Sequence, residues 1–114
     1  MNHVATGPRR PVALRRSWLF TAGLDRAAHQ RALDSGADVI VADLEEFTAV
    51  NDRPQARAHI VDLMAACRAR TTVGAVRINL LAGDGMEDLA GVMPGAPDVI
   101  FLPYVESAAQ IQAL

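Results

Sequence analysis

Four places along the chain set polar side chains directly after short apolar runs: Thr21, Asp43 with Glu45, Arg77 with Asn79, and Tyr104 with Glu106. An arginine beside two acids suits chemistry on a carboxylate. Arg77 can grip a carboxylate or an enolate oxygen through two parallel N–H groups, and Asp43 and Glu45 can order waters around a divalent cation. The same residues also allow a plainer arrangement, in which Arg77 only neutralises Asp43 or Glu45 as a structural ion pair. All 11 basic residues are arginine, so a Schiff-base lysine is excluded for this chain.

Side chains converge in this way when parallel strands bring their carboxyl ends to one rim. The segments around these residues predict such an arrangement. Residues 17–23 (SWLFTAG), 38–45 (DVIVADLE), 72–80 (TVGAVRINL) and 98–105 (DVIFLPYV) read as strands. Between them, residues 24–35 predict a helix closed by Gly36 in a left-handed conformation, and residues 53–70 a helix with Pro54 in its first turn. Ile60, Leu63, Met64 and Cys67 form the apolar stripe of that second helix. A short third helix follows Gly83 to Gly85 through Met86, Leu89 and Val92, and Ser107 to Leu114 begins a fourth. Alternation along a strand puts Val39, Val41, Asp43 and Glu45 on one face and Ile40, Ala42 and Leu44 on the other. The same count groups Val73, Ala75, Arg77 and Asn79. The fold class expected is α/β, with parallel βα units and right-handed crossovers.

Composition narrows the functions open to such a fold. A net charge of -2 and 4% aromatic residues give nucleic acid neither a basic stripe nor a stacking platform. No apolar segment has the length of a membrane span, and a single cysteine, Cys67, in an apolar helical stretch fits a buried thiol in a reducing cytoplasm. His3, His29 and His59 fall off the strand rim, which points to exposed or structural roles, and no glycine-rich phosphate loop occurs. Residues 1–15, with three arginines and two prolines, read as a flexible basic tail.

The stretches Arg16-Ser-Trp-Leu-Phe-Thr-Ala-Gly23, Gly36-Ala-Asp-Val-Ile-Val-Ala-Asp-Leu-Glu-Glu46, Arg57, Val76-Arg-Ile-Asn79 and Leu102-Pro-Tyr-Val-Glu-Ser107 follow one another in a specific order. Together they closely resemble the amino-terminal half of the HpcH/HpaI aldolase and citrate lyase beta-subunit family, which includes malyl-CoA lyase-like enzymes. The resemblance implies a TIM barrel that uses Mg²⁺ to make or break a carbon–carbon bond. Its substrates would be 3-hydroxy acyl-CoA thioesters such as malyl-, citramalyl- or citryl-CoA, or related 2-keto-hydroxy acids. By the same resemblance Arg77 binds the keto-acid moiety and stabilises enolate charge. Asp43 and Glu45 lie near the metal and its waters, and Thr21, Asn79, Tyr104 and Glu106 line the substrate rim.

The sequence departs from the family in three respects. Tyr104 stands where the family usually has lysine, which removes a positive charge from the mouth; Ala22 and Glu46 stand where proline and aspartate are common. The direct metal carboxylates of the family barrel, a Glu and an Asp, belong to later strands, beyond Leu114. A full barrel needs eight βα units in about 250 residues, so residues 16–114 read as its amino-terminal half, a partial barrel of about four units. Open strand edges on such a half invite homo-oligomerisation or association with a longer homologue. A truncated lyase is one reading of the chain. The other is a non-catalytic α/β module, either a pseudoenzyme that pairs with a homologue or a receiver-like domain with Asp43 as phospho-acceptor.

Overall fold

The computed structural model describes residues 10–114. Four βα units follow one another: β1 (Trp18–Ala22), α1 (Arg26–Asp34), β2 (Val39–Asp43), α2 (Arg53–Ala69), β3 (Val73–Arg77), α3 (Met86–Val92), β4 (Val99–Phe101) and α4 (Ala108–Gln112). The strands form one parallel sheet in the order β1-β2-β3-β4, each beside its predecessor in the chain. This is the α/β partial barrel that the sequence predicts.

Local chemistry sets the helix ends. Asp25 accepts a hydrogen bond from the Ala28 N–H at 3.1 Å and so caps α1, whose exit turns through Gly36 at φ +79°. Pro54 occupies the first turn of α2, where a missing N–H costs nothing. The predicted stripe of Ile60, Leu63, Met64 and Cys67 is buried, joined by Ala56.

The sheet has two differently filled faces. Ile40, Ala42, Leu44, Val76 and Ile78 pack under the helices against the α2 stripe, Ala32 of α1 and Val92 of α3. Val39, Val41, Val73 and Ala75 cluster on the opposite face with Val99 and Phe101. On that face the rings of Trp18 and Phe101 meet edge to face with centroids 5.6 Å apart. Their strands lie three positions apart, which in a flat sheet would separate them by roughly 14 Å. The sheet therefore curls into an arc, concave on the face that carries Asp43 and Arg77.

Two predicted elements differ. The strand expected over residues 98–105 stops at Phe101, because Pro103 has no N–H to give a ladder and Tyr104 turns left-handed at φ +51°. Met86, expected in the apolar stripe of α3, is 58% exposed. It opens the helix after a wide irregular turn at Leu81–Gly85 and points away from the core. Of the expected basic tail, residues 1–9 lie outside the described residues. Residues 10–16 are tied to the amino end of β2: Arg10 Nε lies 2.9 Å from Asp38 Oδ1, and the Arg16 and Ser17 N–H groups donate to Asp38 Oδ2.

Candidate functional site

The register aligns Ala22, Asp43, Arg77 and Phe101 at the carboxyl ends of the four strands. Asp43 is fully buried. Arg77 donates to it twice, from Nε to Oδ1 at 2.7 Å and from Nη2 to Oδ2 at 3.1 Å. The Glu45 and Phe47 N–H groups donate to the same two oxygens at 3.2 and 2.7 Å. Burial alone would raise the Asp43 pKa, but the bonds from Arg77, Phe47 and Glu45 outweigh it and hold the carboxyl below its ordinary value. Asp43 in turn raises the Arg77 pKa, against the effect of desolvation.

Arg77 is not consumed by this pair. Its side chain stays 21% exposed, with Glu45 and Glu46 carboxylate oxygens 3.8 and 3.7 Å from Nη2. The guanidinium carbon lies 5.1 Å from the Phe20 ring centre and 5.9 Å from that of Phe47. Asp43 thus fixes one edge of the guanidinium and the phenyl rings limit its tilt. Among the described residues Nη1 makes no hydrogen bond, which leaves that edge open to an anion.

An open cleft of about 370 Å³ is lined by Glu45, whose carboxylate lies 3.8 Å from Arg77 Nη2, and by Val50, Arg53, Asn79, Leu80, Gly83, Asp84, Pro103 and Tyr104. Arg53 donates to Asp84 at 2.8 Å on its wall. Asn79 is held there by its amide, with Nδ2 donating to the Leu44 carbonyl at 2.9 Å and to Asp88 Oδ2 at 2.8 Å. Asp88 of α3 is fully buried and also takes Arg57 Nε at 2.9 Å. Neither Asp88 nor Arg53 stood among the sequence candidates. A signal for Asp88 did exist, since Arg57 shares the helical stripe of Ile60 and Met64, and an arginine on an apolar stripe needs a buried acid.

The other predicted residues are placed unevenly. Glu45, Asn79 and Tyr104 line the cleft with Arg77 nearby, and Tyr104 reaches it from a loop, 66% exposed. Thr21 pairs with Ala42, so by register it shares the helix side of the sheet and not the concave side of Asp43; its hydroxyl is buried without a partner among the described residues. This corrects its expected place on the substrate rim. Glu106 is exposed beyond β4, where its N–H caps toward Gln110 Oε1 at the start of α4. His29 Nε2 and His59 Nδ1 each lie 2.8 Å from a backbone carbonyl, of Ala22 and Leu24, and so brace the β1–α1 loop. Asp43 is closed to phosphoryl transfer by burial and by its four bonds, so the receiver-like reading fails.

Direct Mg²⁺ ligation needs several uncommitted oxygen ligands converging on one point. Both Asp43 oxygens are committed, and among the described residues no three His, Cys, Asp or Glu side chains group to hold a metal. The rim carboxylates left over, Glu45 and Glu46, lie against Arg77 and fall short of the octahedral oxygen set that Mg²⁺ demands. The described residues do not fit direct Mg²⁺ ligation.

Known proteins resemble this chain in sequence and in fold. The citrate lyase beta subunit of Escherichia coli (strain K12) is 30% identical over 104 residues, which cover 90% of this chain and 34% of that protein. L-malyl-CoA/beta-methylmalyl-CoA lyase of Rhodobacter capsulatus is 32% identical over 121 residues, 96% of this chain and 36% of the enzyme. Among solved structures, CitE of Mycobacterium tuberculosis with magnesium and acetate superposes with a TM-score of 0.72 at 31% identity, covering 89% of this chain and 42% of CitE. The complex of CitE with magnesium, acetoacetate and coenzyme A gives a TM-score of 0.67 at 32% identity, covering 86% of this chain and 36% of CitE. The chain thus spans about a third of the length of these curated relatives. The sequence pattern of the family matches residues 16–114, and with the parallel arc and its Arg77–Asp43 rim it shows that the chain belongs to the HpcH/HpaI aldolase/citrate lyase family.

Proposed function

We propose that this chain carries the carboxylate-anchoring side of a carbon–carbon lyase site for a 3-hydroxy acyl-CoA thioester of the malyl, citramalyl or citryl type, or a related 2-keto-hydroxy acid. One observation carries the reading: a guanidinium fixed along one edge by a buried carboxylate at the concave rim, with another edge free. Bond cleavage in such a substrate leaves negative charge on an enolate oxygen. A guanidinium already oriented for that oxygen stabilises the charge without reorganising. Arg77 is the catalytic residue of the proposal, and Asp43 positions it. Glu45 and Tyr104 contact the substrate from the cleft wall, and the rest of the barrel would supply the Mg²⁺ ligands. The names of the relatives, and the magnesium, acetoacetate and coenzyme A of the CitE complex, support this reading.

A second reading is favoured by the commitment of both Asp43 oxygens to structural bonds: a non-catalytic module that pairs with another copy or a longer homologue. Calorimetry of the purified chain with glyoxylate, pyruvate or oxaloacetate, with and without Mg²⁺, separates the two. Saturable binding that disappears in Arg77→Ala supports the anchoring site. A folded chain that binds none of the three, or an Arg77→Ala chain that binds as the parent does, overturns it in favour of the module.

A further inference from the structure

Asp88 divides its two oxygens between two partners. Oδ1 lies 2.9 Å from both Nε and Nη2 of Arg57, and Oδ2 accepts from the Asn79 backbone N–H at 2.9 Å and from Asn79 Nδ2 at 2.8 Å. The second Nδ2 hydrogen goes to the Leu44 carbonyl at 2.9 Å. A carboxylate and a carbonyl can only accept, so the group that faces both of them must be the NH₂ end of the Asn79 amide. The end left over is the carbonyl oxygen, on a residue that lines the cleft beside Arg77. Among the described residues that oxygen has no partner of its own.

We propose that Asp88 is a positioning residue that turns the Asn79 amide so that the cleft meets its ligand with an acceptor at that point and not with a donor. Arg57 holds Asp88 in its buried place from Oδ1, and Leu44 shares the load from β2. The ligand group opposite Asn79 is therefore a hydrogen-bond donor, a hydroxyl in the class of substrate proposed above. A carboxylate oxygen in that position would face a second acceptor and be repelled, so the anionic end of the ligand is directed to Arg77 and its hydroxyl end to Asn79. The ligand half of this inference rests on the anchoring role of Arg77, whereas the amide orientation does not.

Nuclear magnetic resonance on the ¹⁵N-labelled full chain tests both halves. The Asn79 side-chain amide protons exchange with solvent about tenfold more slowly than those of the exposed Asn51 if both are hydrogen-bonded. In Asp88→Asn, which keeps the volume, that protection is lost while the backbone amides of Val41 and Val76 keep theirs. Equal exchange at Asn79 and Asn51 in the parent, or unchanged protection in Asp88→Asn, overturns the positioning role. Titration with lactate and with propionate, its counterpart without the hydroxyl, tests the ligand half. Lactate should shift both the Arg77 Nε–H and the Asn79 resonances, and propionate only the Arg77 signal. An Asn79 response to both acids or to neither overturns the acceptor assignment when Arg77 responds. Silence at Arg77 overturns the anchoring site and the ligand half with it, and leaves the amide orientation to be judged by exchange alone.

Discussion

Two Arg–Asp pairs cross this molecule with nearly the same local chemistry and opposite uses. Arg77–Asp43 bridges β3 and β2 at the concave rim; Arg57–Asp88 bridges α2 and α3 in the helix layer. Each acid is fully buried and accepts from its arginine within 2.9 Å. The difference lies on the arginine side. Arg57 is 13% exposed, with Gly91 packed so closely against its stem that a Cβ there would lie 2.7 Å from Arg57 Cδ. Arg77 is open at one edge and backed by phenyl rings. A buried ion pair fixes geometry in both places, but only the one with an unclosed edge can hand its charge to a ligand.

Removing the acids should break the symmetry first. Asp88→Ala leaves Arg57 buried and unpaired and releases Asn79, a loss of about 3–5 kcal/mol. Asp43→Ala lets Arg77 swing to solvent, so its loss is smaller, about 2–3 kcal/mol. Urea unfolding of the two variants checks the order, and a larger loss for Asp43→Ala would reverse the assignment of the structural pair. Gly91→Ala comes next. It pushes a methyl group into the Arg57 stem at about 1–3 kcal/mol and leaves keto-acid binding at Arg77 unchanged by calorimetry.

The smallest effect is on acid stability. The Asp43 carboxyl has a folded pKa below its ordinary 3.8, so the unfolded chain binds its proton first. Its contribution is complete above that value and is lost as pH falls below it toward the folded value. His29, lowered from 6.5 mainly by desolvation, acts with the same sign in a higher window, stability falling as pH drops below 6.5. Thermal melting from pH 7 to 3 should show a shallow decline that His29→Gln flattens just below pH 6.5 and that Asp43→Asn flattens only at the acid end, below 3.8.

Much of this was readable in the chain because periodicity reports burial. The alternation of Val39, Val41 and Asp43 against Ile40, Ala42 and Leu44 predicts the two faces of β2, and the α2 stripe predicts which side of the helix meets them. Arg77 and Asp43 are legible as a pair because both end apolar runs on the same face. Thr21 is not, because β1 lies at the sheet edge, where Trp18, Leu19 and Phe20 all remain partly exposed and alternation gives no phase. The reach of β4 was overestimated because apolar residues 102 and 105 continue its pattern while Pro103 and Tyr104 end its backbone. Asp88 is legible only in part: Arg57 on the apolar stripe signals a buried acid, but the acid is 31 residues away on a different helix, and sequence spacing does not say which one it is.

The spatial order of the strands repeats their order along the chain. Each strand therefore finds its neighbour after the closure of a single loop, with no pairing that must wait for a distant segment. Because closure entropy rises only slowly with loop length, and rates fall as contacts become less local, such a sheet can assemble by accretion. In that order the β1–β2 pair would form first, and the Arg77–Asp43 bond would arise when β3 docks. A polypeptide leaving the ribosome amino end first would have its anion-binding rim set before β4 is added.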